Sequence, residues 1–108
     1  MSSFDDRKRA EESKFAHDAE LRFKAEARRN KHLAYWACDQ LGIEGADERA
    51  NYVAEVIAAD MTEAGPADVV RKLKADFEAR NVAFDEAEIA RRVDQFDAQA
   101  KQEVLAGS

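Results

Sequence analysis

A chain of 108 residues has room for one modest core and is too short for two independent domains. Its hydrophobic fraction of 45% is globular, while 37% charged residues lies well above the usual quarter. The net charge of −6 argues against a general affinity for nucleic acid or anionic lipid.

One Pro and four Gly among abundant Ala, Glu, Lys, Arg and Asp predict an all-α fold with few turns. A first helical pattern starts somewhere after Phe4 and reaches Leu41, where Gly42 and Gly45 stop it. Asp47 is placed to cap a second helix lasting to Ala64, before Gly65. Pro66 suits the first turn of a third helix that ends near Arg80. "NVAF" reads as a linker, after which Asp85 and Glu88 form a capping-box pattern opening a fourth helix to about Leu105.

Helical periodicity then assigns the inner faces. These are Leu33, Ala34, Trp36, Ala37 and Leu41 on the first helix; Val53, Val56, Ile57, Met61 and Ala64 on the second; Val69, Val70, Leu73 and Phe77 on the third; and Ile89, Val93, Phe96, Ala100 and Val104 on the fourth. Four amphipathic stripes joined by short loops predict an antiparallel four-helix bundle. Asp60 shares the sector of Val53 and Val56, so it is expected to be paired with a cation from a neighbouring helix.

The bundle needs residues from about 32 onward, which leaves the first third over. Residues 1–32 hold nine Lys and Arg against seven Asp and Glu, whereas residues 33–108 hold eight against sixteen. Phe15, Ala19 and Phe23 recur every four residues, and Asp18–Arg22 and Glu20–Lys24 are in the favourable i,i+4 order. Such pairs contribute about 0.2–0.5 kcal/mol each and a buried Phe roughly 1.5–3 kcal/mol. Fixing one residue's backbone costs about 1–2 kcal/mol. The N-terminal arm is therefore expected to fray when free and to become fully helical against a partner.

The stretch "FDDRKRAEESKFAHDAELRFKAEARRNKHLAYWA" resembles the start of the ATPase inhibitor zeta subunit family of alphaproteobacterial F-type ATP synthases. The likeness lies in Phe4-Asp5, in the segment from Phe15 to Phe23, in the "ARRNK" of Ala27 to Lys31, and in Tyr35-Trp36-Ala37. The later "GPADVVRKLKADF" is similar too, while Met61 and His32 stand where an aromatic and an aliphatic residue are expected. The resemblance implies that the N-terminal segment enters a catalytic interface between alpha and beta subunits, near the central-stalk gamma subunit. There it would block ATP hydrolysis while hindering synthesis little. The organisation implied is an inhibitory arm over 1–19, a helical junction over 20–31 and a bundle over 32–108. On this reading Phe4 and Phe15 are apolar anchors, and Asp5, Arg7, Arg9 and Asp18 pair across the interface. His17 would titrate near pH 6.5 if unperturbed and so could tune binding with pH, while Arg28 and Arg29 are expected to pair with the acidic bundle.

Other chemistry has little support. "GIEGADER" lacks the spacing of a phosphate-cradling loop. Neither His17 nor His32 has a Glu three residues before it, as di-iron bundles require. No metal, cofactor or catalytic pair is expected. Cys38 follows an apolar run and reads as a buried thiol; a single cysteine cannot form an internal disulfide and suits a reducing compartment. No secretion signal follows Met1, and no apolar run approaches the roughly 20 residues of a spanning helix. The expected location is cytoplasmic, peripheral to the inner membrane through the synthase. The alternative reading is a helical interaction module whose "KAEARRNK", residues 24–31, forms a small basic site for nucleic acid. Its interleaved carboxylates weigh against it.

Overall fold

The structure is a computed structural model that describes residues 18–60 and 66–107. Over that span it is all-helical: α1 is Ala19–Leu41, α2 Ala46–Ala59, α3 Ala67–Ala79 and α4 Glu86–Leu105. Local chemistry sets most of these boundaries. After α1, Gly42 takes the left-handed conformation at φ 74°, and the Ile43 amide reaches back to the Cys38 carbonyl at 3.0 Å, closing the helix end as glycine permits. α3 ends the same way without a glycine. Asn81 adopts φ 57°, and the Val82 amide donates to the Phe77 carbonyl at 2.9 Å.

Three helix boundaries differ from the sequence expectation. Gly45, not Asp47, occupies the cap of α2; the helix starts one residue before Asp47, whose carboxylate then faces the positive end from within the first turn. α2 stops at Ala59 with Asp60 as its C-cap, five residues short of the expected Ala64; residues 61–65 lie outside the described span. At α4, Asp85 accepts the Ala87 amide at 2.9 Å, but Glu88 turns to Arg91 and Arg92 at 3.3 and 3.7 Å instead of completing a capping box.

α1 is the hub, packed against each of the other three helices. Cross-contacts fix the directions. Arg49 of α2 meets Asp39 of α1 at 2.9 Å, while Asp60 at the far end of α2 meets Arg29, so the two run antiparallel. On α4, Arg92 lies over Trp36 and Glu103 meets Arg28, again antiparallel to α1. Tyr52 with Asp76, and Glu55 with Lys72, set α2 against α3 in the same sense.

The core follows the predicted stripes: Leu33, Ala34, Ala37, Cys38, Val56, Val69, Leu73, Phe77 and Ile89 are buried. Burial also pushes the Cys38 thiol pKa up, as expected of a structural cysteine. The face of α2 differs. At about 100° per residue, Tyr52, Val56, Asp60 and Val53 share an arc of about 100°, and Ile57 lies about 40° beyond it. Tyr52 is accordingly buried and Ile57 is 38% exposed. The "NVAF" segment is more than a linker, because Val82 and Phe84 pack on the core and the Phe84 ring stacks on Phe77 at 5.7 Å.

The Tyr52 hydroxyl donates to Asp76 at 2.8 Å, and burial, then this bond, raises its pKa above the ordinary phenol value. Tyr52→Phe should lower stability by about 1 kcal/mol, read from the urea midpoint. Because the folded-state pKa is raised, the contribution of Tyr52 is full below about pH 10 and lost as pH rises further.

Candidate partner-binding site

The functional residues expected from the sequence fall on the arm and on the first half of α1. Phe4, Asp5, Arg7, Arg9, Phe15 and His17 lie outside the described residues. Asp18 is the first described residue, and it caps α1. Its Oδ1 accepts the amides of Glu20 at 3.0 Å and Leu21 at 3.1 Å, meeting two of the donors that a helix start leaves open. The expectation for Asp18 was a pairing across an interface; the cap is a role that sequence reasoning missed. The cue was there, since aspartate is among the best cap residues and stands just ahead of an apolar-periodic run.

The next turn is held by little else. Glu20 and Lys24 form the expected i,i+4 pair at 3.1 Å. Ala19, Glu20, Arg22, Phe23 and Lys24 are all exposed, Leu21 is half-buried, and Ala25 is the first fully buried residue of α1. The Phe23 side chain is 69% exposed.

Behind this turn the helix is clamped. Arg29 is only 4% exposed and Asn30 is buried beside it. Arg29 Nη2 donates to Asp60 Oδ2 at 3.0 Å, Asn30 Nδ2 donates to the same oxygen at 2.9 Å, and Arg29 Nε donates to Asn30 Oδ1 at 3.2 Å. Asp97 of α4 faces the other side of the guanidinium at 3.8 Å. The expected partner of Asp60 is thus Arg29, and both arginines of "ARRNK" pair with the bundle as expected, Arg28 reaching Glu103 at 3.7 Å. No buried side-chain polar atom among the described residues lacks a hydrogen-bond partner.

One turn on, His32 Nε2 lies 2.8 Å from Glu103 Oε1, and its ring is 5.9 Å from that of Phe96. The polar residue at a position expected to be aliphatic is therefore matched by a carboxylate on α4. Hydrogen bonds from His32 and then Gln99 hold the Glu103 carboxyl below the usual range.

This geometry bears on the alternative basic site. Within residues 24–31, Lys24 is paired with Glu20, Arg28 with Glu103 and Arg29 is inside the protein, so Arg29 has no surface to offer a phosphate backbone. A cleft of about 290 Å³ lies elsewhere, between Trp36, Gln40, Phe77, Phe84 and Ile89, with Asp85 and Glu88 at its rim. Both carboxylates are already engaged, in the α4 cap and with Arg91 and Arg92.

The described residues thus form a small helical bundle whose hub helix is clamped at mid-length and carries an exposed apolar side chain on its first turns. The chain belongs to the ATPase inhibitor subunit zeta family, which it matches over residues 1–103, arm and bundle together. Membership implies association with an ATP synthase, and an inhibitor subunit is not expected to be catalytic. A solved structure, described as a solution NMR structure, is 39% identical with a TM-score of 0.68 and covers 82% of this chain and 99% of its own. No curated protein matches the chain. Among the described residues no helix is long and apolar enough to cross a membrane.

Two outcomes test the clamp. Asp60→Ala leaves Arg29 buried without its closest partner and should cost about 3–5 kcal/mol in chemical denaturation, whereas Arg29→Met with Asp60→Leu should recover most of that loss. For Glu103 the folded pKa is lowered, so its contribution is full above about pH 4.3 and is lost as pH falls through the folded value. Glu103→Gln should therefore melt below the parent at pH 6, with the gap narrowing as pH falls below the usual carboxylate range.

Proposed function

We propose that the protein inhibits ATP hydrolysis by an F-type ATP synthase, inserting its N-terminal segment as a helix into a catalytic interface between alpha and beta subunits, next to the central-stalk gamma subunit. The bundle serves as the mount. It works in the cytoplasm, peripheral to the inner membrane through the synthase itself. The observation that carries this reading is the family match over residues 1–103, because it takes in the arm as well as the folded part.

The structure supports it in a physical sense. Insertion of a helix requires a partner to supply apolar surface that the segment lacks on its own, and α1 offers little burial before Ala25. The clamp at Arg29 and Asn30 fixes the direction in which α1 leaves the bundle. Phe4 and Phe15 act as the anchors, Asp5, Arg7 and Arg9 set register on the charged rim, and His17 is the residue through which pH would act.

The test is ATP hydrolysis by the catalytic head of the cognate synthase, with the full chain and with a version lacking residues 1–19. Inhibition by the full chain and none by the shortened one is the expected result. Equal inhibition by both would place the inhibitory contact in the bundle and overturn the arm's role.

A further inference from the structure

We propose that the contact with the synthase does not end with the arm at residue 19 but continues along α1 to Phe23, whose side chain enters an apolar pocket of the same helix-binding groove. This rests on the inhibitor reading and deepens it.

Four observations converge. Phe23 is 69% exposed, the most exposed large hydrophobic among the described residues. It lies two residues before the buried Ala25, on a turn whose side chains at 19, 20, 22, 23 and 24 are all at the surface. A single exposed apolar side chain is ordinary on a protein surface, so position has to decide. By sequence spacing Phe23 stands four residues after Ala19 and eight after Phe15, so it would extend the arm's apolar stripe in a helix that runs on through Asp18, as the inhibitor reading supposes. It is also ordered before binding. The Asp18 cap and the Glu20–Lys24 pair hold the turn, and the Arg29–Asp60 clamp lies under two turns away.

These features fix the kind of partner. A helix presenting a Phe between Glu20, Arg22 and Lys24 fits a concave apolar surface whose rim carries both signs of charge. A flat basic or acidic surface would not satisfy it. Because arm and Phe23 are consecutive on one chain, whatever grips the arm also lies beside Phe23. A rotamer-poor aromatic on an already formed helix gives up little entropy on binding, which is how interface hot spots are commonly made.

The test uses the full chain against the catalytic head. Phe23→Ala should raise the concentration for half-inhibition at least about tenfold, with the thermal midpoint of the free protein unchanged, because the side chain is exposed. Phe23→Leu should recover part of the loss. The version lacking residues 1–19 is measured in parallel. If that version is inactive and Phe23→Ala inhibits like the parent, the extension of the contact is wrong and the arm alone is the inhibitor. Full inhibition by the shortened chain would instead overturn the arm reading beneath it. Sedimentation separates the remaining occupant. A parent that self-associates, with a Phe23→Ala variant that is monomeric yet fully inhibitory, would assign Phe23 to a second copy of this chain and overturn the proposal.

Discussion

A guanidinium that is 4% exposed can stay inside so small a domain only if the groups around it meet its donors. Here Asp60, Asn30 and Asp97 surround Arg29. The desolvation of two charges offsets most of what their attraction returns, so the pair is a weak source of net stability. Its larger effect is on register. Beside it the inner face of α1 is made of Leu33, Ala34, Ala37, Cys38 and Leu41, apolar contacts that carry little directional information about alignment with α2. A shift of one turn, about 5.4 Å, would bury Arg29 without Asp60 and is thereby forbidden. The hub helix is fixed lengthwise against α2.

Much of this was legible in the sequence, for identifiable reasons. Asp60 stood on an apolar face where an unpaired carboxylate would be costly, so a buried pair could be inferred before any coordinates. Val69, Leu73, Phe77, Ile89 and Val93 repeated at helical spacing, and they are buried. The failures are equally specific. Tyr52 and Ile57 flank the Val53 and Val56 face of α2 from opposite sides, and hydropathy favours including Ile. The ring of Tyr52 goes inside because Asp76 waits across the interface to accept its hydroxyl, a tertiary fact that no local pattern contains. Val82 and Phe84 follow a helix stop and read as connector, yet Asn81 turns the chain back and lays both on the core. Asp18 was weighed only as a charge, although its nearest donors are backbone amides.

The helix that carries the arm is thus in two mechanical states along its length. From Ala25 to Leu41 it is held by burial and by the Arg29 clamp; from Ala19 to Lys24 it is held by one cap and one exposed ion pair. An exposed pair contributes only about 0.3–0.5 kcal/mol and a cap typically about 1 kcal/mol. Small as they are, these contacts are continuous with the buried part of α1, and they hold the turn from Ala19 to Lys24 as helix.

Attachment to a clamped helix lowers what forming that turn costs. An isolated helix must first form a nucleus, with a penalty of order 10⁻³ in equilibrium constant. Here the nucleus already exists in the buried part of α1, so each residue added at the N-terminal end involves propagation alone, with a constant of about 1–1.6 for good helix formers. The turn from Ala19 to Lys24 therefore needs little more than its cap and its ion pair to stay helical. The one discrete barrier is local. Release of the amides of Glu20 and Leu21 by the Asp18 carboxylate would cost about 0.5–2 kcal/mol. That is less than one well-buried phenylalanine returns. Among the described residues the cap thus defines where α1 begins.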